Sequence, residues 1–438
     1  MDRLAIGIDG YNLARRHGTG VATYGFALAR ALKRGGHTVQ GVFGLDVGAE
    51  ASLRDVMFFD ALSRRAPSSG KASRRSRRVL GRAALPFLRM QAEDVPLTSR
   101  VERGGFRDRL PEFDRLTSAP RLFEVAFRHF AFYKRFVRVR MTNPPPIMHW
   151  TYPVPVEVEG ALNVYTLHDL VPLKLPYTTL DVKGSYAAIV GACVKQAAHV
   201  CTVSEASRRD IVEQLDADPA RVTNTYQCST LDASATALPA EEDARMVESI
   251  LGLKPQGYFL FFGAIEPKKN VGRLIEAYLS IQTETPLVIV GSSGWQSEDE
   301  LRLLAGNSST GVQRVVKLDY LPRELLTRLI RSARAVVFPS LYEGFGLPVL
   351  EAMQLATPVL TSHGGSLPEV VGDGALVVDP YDVAMIARGL VALDTDEALR
   401  RRLSQAGLAQ SEHFSEANYI RRLDSMYARI LENARTRR

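Results

Sequence analysis

The chain has 438 residues, more than one ordinary hydrophobic core accommodates, so its length predicts two domains. Its 46% hydrophobic and 24% charged residues are typical of a soluble globular protein, and no apolar run reaches the roughly 18 residues of a membrane-spanning helix. The net charge of +7 is unevenly distributed, because residues 64–140 contain 20 Lys/Arg and 7 Asp/Glu, a balance of +13 that leaves −6 elsewhere. The N-terminus enters a strand pattern without a secretory signal, and an odd number of cysteines without metal-site spacing predicts free cytosolic thiols: Cys193, Cys201 and Cys228.

Residues 4–43 have the pattern of a βαβ unit, in which a strand, a glycine loop and a helix lead to a second strand. The apolar stretch 4–8 predicts the first strand, and residues 21–32 have the apolar spacing of a helix. The loop Gly18-Thr-Gly20 between them is by itself a weak signal for phosphate and is more often a tight turn. Asp9 and Asn12 lie at the end of the first strand, where they are candidates to face an acceptor.

Residues 50–120 break this alternation and predict a basic, irregular insertion over about 50–140. Nine basic residues and no acid occur between positions 64 and 90, and residues 121–140 have helical apolar spacing. Arginines interspersed with Phe and Leu indicate a segment that binds an anionic membrane surface, and a solvated loop is an equally good interpretation. Nucleic acid ranks below both, since the sequence contains no stacking platform or nucleic-acid motif.

Strands and helices alternate regularly after residue 146 and predict an α/β protein with two doubly wound parallel sheets. In the N-terminal domain, residues 1–236, further strands are expected at 147–150, 162–165 and 199–203. In the C-terminal domain, residues 237–415, six strands are expected at 258–262, 287–290, 315–318, 335–338, 358–360 and 375–378. A helix over 416–438 is expected to pack back toward the N-terminal domain.

Residues 339–353 carry the most informative pattern, PSLYEGFGLPVLEAM. A buried strand is predicted before this stretch and a helix from Pro348, so Glu343 lies in a loop at a strand's carboxyl end and Glu351 in the first helical turn. A helix start favours phosphate, and two acceptor side chains beside it suit a nucleotide sugar. For one glutamate alone, a solvated loop acid or a helix-dipole partner would be an equally good interpretation.

This stretch resembles the signature of retaining glycosyltransferases of family 4, which have the GT-B fold of two Rossmann-like domains facing across a cleft. The resemblance extends over nearly the whole chain, apart from about 50–140, through four further segments: Gly18-Thr-Gly20, Thr166-Leu-His-Asp169, Glu266-Pro-Lys-Lys-Asn270 and Ser366-Leu-Pro-Glu369. The second and third of these segments are similar to those of bacterial mannosyltransferases of the family.

The resemblance implies a role for each matching residue. Glu343 would hold hydroxyls of the donor sugar, His168 would orient that sugar at its anomeric carbon, and Lys269 would offset the charge of the leaving diphosphate. Glu351 would bind the ribose hydroxyls. The other donor-binding candidates are Gly20, Lys268, Gly344, Phe345, Gly346, Leu347, Gly291 and Tyr320. Asp169 joins Asp9 and Asn12 as a candidate on the acceptor side, and Ser204, Glu205 and Ser366-Leu-Pro-Glu369 are secondary candidates.

One departure from the family pattern concerns the residues expected to bind the diphosphate. Ala264 stands where the family often has arginine, which leaves open which residue supplies the second positive charge. No cofactor and no catalytic metal are expected, since the two Asp-x-Asp pairs, at 216–218 and 394–396, lie in polar turns after helices.

The resemblance implies transfer of a hexose from a nucleoside diphosphate with retention of configuration. The acceptor would be a glycan or a polyprenyl-linked glycan of bacterial polysaccharide, lipopolysaccharide or O-antigen synthesis. GDP-mannose is the first expected donor, ahead of GDP- or dTDP-6-deoxyhexoses and UDP-glucose. The expected location is the cytoplasm, at the inner face of the plasma membrane if the membrane interpretation holds.

Three other classes of protein compete with this interpretation. A Rossmann dehydrogenase would need a G-x-G-x-x-G turn with an acid about 20 residues later, and the sequence has no such turn. A non-catalytic nucleotide-sugar-binding module would differ only in turnover, although the presence of Glu343, Glu351, Lys269 and His168 argues against it. A GT-B phosphorylase with pyridoxal phosphate would absorb in the near ultraviolet, and no sequence feature suggests one.

Overall fold

The computed structural model describes residues 3–14, 20–63, 81, 85, 87–106, 110–179, 182–229, 231, 239–304 and 314–436. The expectations for Gly18, for the arginine pairs at 64/65, 74/75 and 77/78, and for a boundary at 236–237 fall outside these residues. We refer to residues 3–231 as the N-terminal half and to residues 239–414 as the C-terminal half.

Three sheets account for the strands of the described residues. In chain order, these strands are β1 (Ala5–Asp9), β2 (Thr38–Phe43), β3 (Arg89–Gln91), β4 (Glu93–Val95), β5 (Arg115–Ser118), β6 (Val137–Arg140), β7 (Ile147–Trp150), β8 (Val156–Val158), β9 (Leu162–Thr166), β10 (His199–Thr202), β11 (Val222–Asn224), β12 (Phe259–Phe262), β13 (Leu287–Val290), β14 (Val315–Leu318), β15 (Ala335–Phe338), β16 (Val359–Ser362) and β17 (Leu376–Val378).

The α-helices connect these strands and follow the last of them. Within the described residues they are Gly20–Arg34, Arg54–Ser63, Leu122–Tyr133, Val171–Lys174, Lys183–Gln196, Glu205–Leu215, Ala240–Leu251, Val271–Leu279, Ser297–Leu301, Arg323–Ser332, Leu347–Gln354, Leu367–Val371, Val383–Thr395, Glu397–Ser411 and Glu416–Thr436. Of these described helices, none combines the length and the apolar character that crossing a membrane requires.

The sheet of the N-terminal half has eight strands in the order β11-β10-β9-β7-β1-β2-β5-β4. All neighbours are parallel except β4, which pairs antiparallel with β5. The chain winds outward from β1 through β2 to β5, then returns to β7 on the other side of β1. The crevice between β1 and β7 is therefore the point where the winding reverses, which is where ligands bind in open parallel sheets.

The sheet of the C-terminal half repeats this plan with six parallel strands in the order β14-β13-β12-β15-β16-β17. Its four inner strands, β13, β12, β15 and β16, are buried along their whole length, because a parallel sheet covered on both faces excludes water from them. The winding reverses between β12 and β15. Two doubly wound parallel sheets confirm the predicted fold class.

The structure corrects the expectation of a helix over 121–140. The helix ends at Tyr133, because Lys134 has a left-handed backbone with φ of 52°. Residues 137–140 form strand β6, whose valines are buried and whose arginines are exposed, as in a strand with one covered face. Strands β3 and β8 pair with β6 on either side in a small third sheet, which the irregular-insertion expectation had also missed.

The small sheet also pairs arginines of the basic segment, residues 64–140, with acidic side chains. Arg138 Nε lies 2.8 Å from Glu157 Oε1, and Arg89 and Arg140 contact the two oxygens of Glu159 at 2.8 and 2.6 Å. Both glutamates lie outside residues 64–140. The local excess of +13 is therefore partly neutralised by acids that the segment itself does not contain.

The helix Glu416–Thr436 packs against the N-terminal half. Its buried side chains join the apolar cluster that contains Ile6 and Val39 of that half, and they are Tyr419, Leu423, Met426, Tyr427 and Ile430. Two polar contacts fix its start and its middle, since Arg30 Nε donates to Glu416 Oε1 at 2.8 Å and Tyr427 OH lies 2.6 Å from His149 Nδ1. The last helix is therefore part of the core of the N-terminal half.

Candidate active site

Lys269 and Glu343 lie in the two loops that follow β12 and β15, the neighbouring strands at the switch point of the C-terminal sheet. Lys269 Nζ donates to Glu343 Oε1 at 2.7 Å, and the two side chains are 13% and 9% exposed. Parallel strands end at the same edge, which explains how residues 74 positions apart meet. The structure thus brings together two of the three predicted catalytic residues.

Neighbouring backbone contacts hold these two loops in register. Leu341 N donates to Lys268 O at 2.8 Å. The side-chain amide of Asn270, which is buried, donates to Pro339 O at 2.9 Å and to Pro380 O at 2.7 Å. Asn270 therefore has a structural role that the sequence pattern did not indicate, since its partners lie 69 and 110 positions away.

The charges of this site stabilise one another. Burial alone would raise the pKa of Glu343, but Lys269 and Lys268 outweigh it and hold that pKa below its ordinary value. Burial would likewise lower the pKa of Lys268, but Glu343, Glu266 and Asp169 outweigh it and raise that pKa. Glu343 is therefore a carboxylate and Lys268 an ammonium at neutral pH, so that two lysines supply positive charge in this loop.

The glycines after Glu343 allow a close approach between the two halves. A Cβ on Gly344 would lie 2.9 Å from both Asp169 Oδ2 and His168 O, so a side chain there would displace the N-terminal half. Gly346 has a φ of +102°, which favours glycine, and it precedes the helix Leu347–Gln354. The helix begins at Leu347, one residue before the expected start at Pro348.

The side chain of Phe345 packs between the two halves. Its ring lies 5.4 Å from Phe414 and 6.4 Å from Tyr226, and only 3% of it is exposed. Leu347 packs against the same apolar cluster. The backbone of this loop is thus the part that faces the cleft edge, while its apolar side chains join the core of the N-terminal half.

His168 follows β9 in the N-terminal half. Its Nε2 lies 2.9 Å from Thr151 O, so this nitrogen carries the proton and Nδ1 is a hydrogen-bond acceptor. Burial lowers the pKa of His168, which keeps the imidazole neutral at neutral pH. Ser207 Oγ donates to His168 O at 2.8 Å and fixes the turn that brings His168 and Asp169 against Gly344.

Asp9 is fully buried at the end of β1. Its Oδ1 accepts from Tyr11 N at 3.1 Å, and its Oδ2 accepts from Thr151 N. Burial raises its pKa to about 6, although these backbone hydrogen bonds act in the opposite direction. Asp9 was expected to face an acceptor, whereas the structure uses its carboxylate to tie the loop after β1 to the loop after β7. Asn12 is also buried, in the turn that follows.

Glu351 lies in the first turns of the helix Leu347–Gln354 and is 5% exposed. Its Oε1 accepts from Arg323 Nη2 at 2.7 Å. Burial raises the pKa of Glu351 above its ordinary value, and the nearby guanidinium only partly offsets this. Arg323 begins the helix after β14, and no local pattern in the sequence linked it to Glu351.

The remaining donor-binding candidates lie at the same edge of their sheets. Gly291 follows β13, and a Cβ there would lie 1.8 Å from Gly263 O, so the glycine is required where two loops cross. Tyr320 follows β14 and is 81% exposed. Gly20 is the first residue of the helix Gly20–Arg34 and is exposed, with open space around its Cα.

Glu369 has a role that sequence reasoning missed. Its carboxylate oxygens accept from Glu205 N at 3.0 Å and Ala206 N at 2.8 Å, and Tyr226 OH donates to it at 3.0 Å. An acid of the C-terminal half therefore caps the helix Glu205–Leu215 of the N-terminal half, where the helix dipole favours negative charge. Ser204 caps the same helix from within, accepting from Ser207 N at 3.0 Å.

The two Asp-x-Asp pairs have structural partners. Asp218 accepts from Ala220 N at 2.9 Å and Asp396 from Leu399 N at 2.8 Å, each capping a helix. Asp394 accepts from Thr285 Oγ1 at 2.7 Å. In the described part of the chain, no group of three or more His, Cys, Asp or Glu residues is placed to hold a metal ion. Independence from metal remains a prediction.

Comparison with known proteins identifies relatives of this chain. Residues 248–410 match the family of glycosyl transferases, group 1. The chain is 37% identical over 227 residues to O-antigen chain mannosyltransferase B of Escherichia coli, which covers 50% of this chain and 57% of the relative. It is 30% identical over 298 residues to the serotype-specific mannosyltransferase WbdA of Escherichia coli, which covers 65% and 36%. The chain thus spans about half or less of the length of these relatives.

Solved structures identify the fold. Sucrose-phosphate synthase from Thermosynechococcus elongatus matches with a TM-score of 0.67 at 17% identity, covering 98% of this chain and 100% of that chain. At this identity the similarity concerns the fold alone. It supports the GT-B arrangement of two Rossmann-like halves.

Proposed function

Since residues 248–410 form a domain of the glycosyl transferases group 1 family and the chain has the GT-B fold, we propose that this protein transfers a hexose from a nucleoside-diphosphate sugar to a glycan acceptor. The buried pair of Lys269 and Glu343, at the switch point of the C-terminal sheet, is the observation that carries the proposal. The transfer retains the configuration of the anomeric carbon.

The donor lies along the carboxyl edge of the C-terminal sheet in this proposal. Lys269, Lys268 and the start of the helix Leu347–Gln354 bind the diphosphate, because all three present positive charge or backbone N–H groups. Glu343 holds sugar hydroxyls, and Glu351 holds the ribose. Gly291 and Tyr320 line the pocket for the nucleotide base. Gly20, in the N-terminal half, covers the diphosphate from the other side.

The reaction needs no protein nucleophile in this proposal. The acceptor hydroxyl attacks the anomeric carbon on the face from which the diphosphate leaves, and a diphosphate oxygen takes the proton. Lys269 and Lys268 stabilise the charge that grows on the leaving group. Neutral His168, whose Nδ1 is an acceptor, receives a hydrogen bond from a sugar hydroxyl and holds the sugar for attack. Metal is not required, and activity that disappears in EDTA would contradict this.

Mannose from GDP-mannose is the first donor in the proposal, and the acceptor is a glycan of O-antigen type. The support comes from the two Escherichia coli relatives, both of which are mannosyltransferases. The test is a panel of GDP-mannose, GDP- and dTDP-6-deoxyhexoses and UDP-glucose, read first by thermal shift and then by release of nucleotide. We expect that, of the donors in the panel, only GDP-mannose stabilises the protein and is turned over. Stabilisation by a donor without turnover under any condition would instead indicate a non-catalytic nucleotide-sugar-binding module.

An anionic membrane surface is the second partner that we propose. Phe87 and Phe132 are 80% and 73% exposed, and Leu85 is 50% exposed. The guanidinium of Arg135 lies 4.5 Å from the ring of Phe87, so that cation and aromatic ring form one surface. Exposed aromatic rings beside basic side chains suit the interface of an anionic bilayer.

Flotation of the full chain with liposomes tests this partner. We expect binding to vesicles that contain phosphatidylglycerol and loss of binding in the Phe87→Ser/Phe132→Ser variant. The matched control is Ile250→Ser, which replaces a 56% exposed apolar side chain on the C-terminal half and should float as the wild type does. Failure of the wild type to float at physiological salt would exclude the membrane proposal and leave glycosyl transfer untouched.

A further inference from the structure

A cavity of about 220 Å³ opens in the N-terminal half at the switch point between β1 and β7. Tyr11 comes from the loop after β1, and Tyr152 and Pro153 come from the loop after β7. The helix Leu122–Tyr133 contributes Phe127, and the helix Lys183–Gln196 contributes Tyr186. The cavity therefore occupies the place in this sheet that the Lys269–Glu343 pair occupies in the other.

Aromatic residues are four of the eight described residues that line the cavity. The ring of Tyr11 lies 5.7 Å from that of Phe127 and 5.9 Å from that of Tyr152, tilted by 45° and 32°. Each of these rings and that of Tyr186 is only partly buried, so part of its surface is presented to the cavity. The face of an aromatic ring carries partial negative charge and suits the C–H face of a sugar ring.

The charge and the size of the cavity limit the class of ligand that it can bind. None of the described residues that line it is charged, which disfavours a phosphate, a nucleotide or an acidic sugar. Its volume of about 220 Å³ lies below the roughly 300 to 1,000 Å³ of pockets that hold drug-sized ligands. A single neutral ring fits this description better than a long isoprenoid chain.

Hydrogen bonds connect the cavity to the proposed reaction centre. Asp9 accepts from the backbone of Tyr11 and Thr151 and so fixes the two loops that carry Tyr11 and Tyr152. The carbonyl of Thr151 accepts from His168 Nε2 at 2.9 Å. On the other wall, Tyr186 OH donates to the carbonyl of Asp169 at 2.8 Å. Both walls of the cavity are thus hydrogen-bonded to His168 and Asp169, which lie against Gly344 in the loop after β15.

We infer that this aromatic cavity is the subsite for one neutral sugar ring of the acceptor, next to the ring whose hydroxyl attacks the donor. The inference rests on the proposed function and specifies where the acceptor binds. Asp9 is a positioning residue in this arrangement, since it acts on the acceptor through the loops of Tyr11 and Tyr152. The test therefore measures acceptor binding at equilibrium, which does not depend on turnover.

Mannotriose is titrated calorimetrically into the full chain saturated with GDP, and farnesyl phosphate is titrated in a parallel series. We expect mannotriose to bind the wild type, Tyr152→Ala to weaken that binding by about five- to tenfold, and Tyr152→Phe to keep it, because the ring is preserved. Affinity for GDP should be the same in all three proteins. The matched control Leu408→Ala removes a 43% exposed side chain of the C-terminal half and should bind mannotriose as the wild type does.

The opposing outcomes are distinct. No binding of mannotriose to the wild type, or equal binding in wild type and Tyr152→Ala, would overturn the subsite. Farnesyl phosphate that binds and is lost in Tyr152→Ala, without mannotriose binding, would overturn it in favour of a lipid site. If mannotriose binding depends on Tyr152 but no donor is turned over, the subsite stands and the proposed function fails.

Discussion

At the scale of single residues, the centre of the proposed site is a buried ion pair. Lys269 and Glu343 are held 2.7 Å apart by loops that Asn270 fastens together. A buried pair is weak evidence for stability, because each charge has lost its hydration. The pair is thus better explained by what each charge does to a ligand than by what it adds to the fold.

Replacing either member of the pair should slow the reaction by about 100-fold or more, the scale of losing one preorganised charge contact. Lys269→Met or Glu343→Gln alone should also lower the free energy of unfolding by about 3 to 5 kcal/mol, since each leaves a charge buried without its partner. The double variant should regain most of that stability and remain slow. Steady-state kinetics and chemical denaturation are the measurements, with Lys33→Met as a control at an ion pair outside the site. Near wild-type turnover in the double variant would remove the pair from the mechanism.

Asp9 gives a prediction about pH. Its pKa of about 6 in the folded chain exceeds the ordinary 3.8, so the folded state binds the proton more tightly. The corresponding stability is fully present below about pH 3.8 and is lost as pH rises through about 6. Between about pH 4 and 7, the unfolding free energy of the wild type should fall by about 2 to 3 kcal/mol relative to Asp9→Asn. Chemical denaturation of both proteins measures this. A difference in unfolding free energy that is independent of pH would show that Asp9 is charged throughout this pH range.

The control for Asp9 is Asp373→Asn, which changes an exposed aspartate of the C-terminal half. Its unfolding free energy at pH 7 should lie within about 0.5 kcal/mol of that of the wild type, as for most surface substitutions.

The positions of residues could be predicted from the sequence where a motif places them in a loop at a strand end, as for Glu343, Lys269 and His168. Their partners could not. Arg323 meets Glu351 from 28 positions away and Asn270 meets Pro380 from 110 positions away, and local patterns carry no information on such pairs. Asp9 was placed correctly at the end of β1, but its burial under Tyr11 and Thr151 depends on β7, which joins β1 only in the folded sheet.

At the scale of elements, one helix start provides several of the polar contacts between the halves. Glu369 binds the first N–H groups of the helix Glu205–Leu215, where the helix dipole stabilises a carboxylate. Ser207, in the same helix, donates to the carbonyls of His168 and Gly344 at 2.8 and 3.5 Å. The helix therefore contacts both sides of the cleft.

Glu369→Gln should lower the free energy of unfolding by about 1 to 2 kcal/mol, since it removes the charge but keeps the shape. Denaturation of the full chain measures this. Glu397→Gln is the matched control, because Glu397 begins the helix Glu397–Ser411 with a 68% exposed side chain, and its effect should stay below about 0.5 kcal/mol. Equal effects of the two changes would mean that Glu369 contributes nothing across the cleft.

The strands of the C-terminal half could be predicted to within two residues, because each is a short apolar run between polar turns. Strand β6 could not, since its Val-Arg alternation continues an aromatic helical pattern that the left-handed Lys134 interrupts. Its partners β3 and β8 lie in stretches of three residues, too short for periodicity to identify.

At the scale of the whole molecule, the last helix of the chain packs against the N-terminal half. The helix Glu416–Thr436 supplies core side chains to the N-terminal half, and its Tyr427 lies beside His149 of β7. Composition and length predicted two domains, but the order of strands in each sheet follows from pairings that only the structure reveals. The two halves are therefore not independent units.

Deleting residues 416–436 should expose the core of the N-terminal half and speed amide hydrogen exchange in β1 and β2 by at least about 100-fold, since several large buried side chains are lost together. Mass spectrometry of exchange in the full chain and in the deletion measures this. A chain that ends after Glu432 keeps all the buried residues of the helix and should exchange as the wild type does. Unchanged protection of β1 in the full deletion would show that the N-terminal half folds without it.

This arrangement has a consequence for synthesis on the ribosome. The strands of the N-terminal half have all been translated by residue 224, yet the helix that completes their core begins only at residue 416. At about 5 to 20 residues per second, the intervening stretch takes roughly 10 to 40 s to translate. Throughout that interval the apolar surface that the last helix covers in the folded protein lacks this cover, so the nascent chain exposes it to chaperones and to neighbouring chains until the last helix arrives.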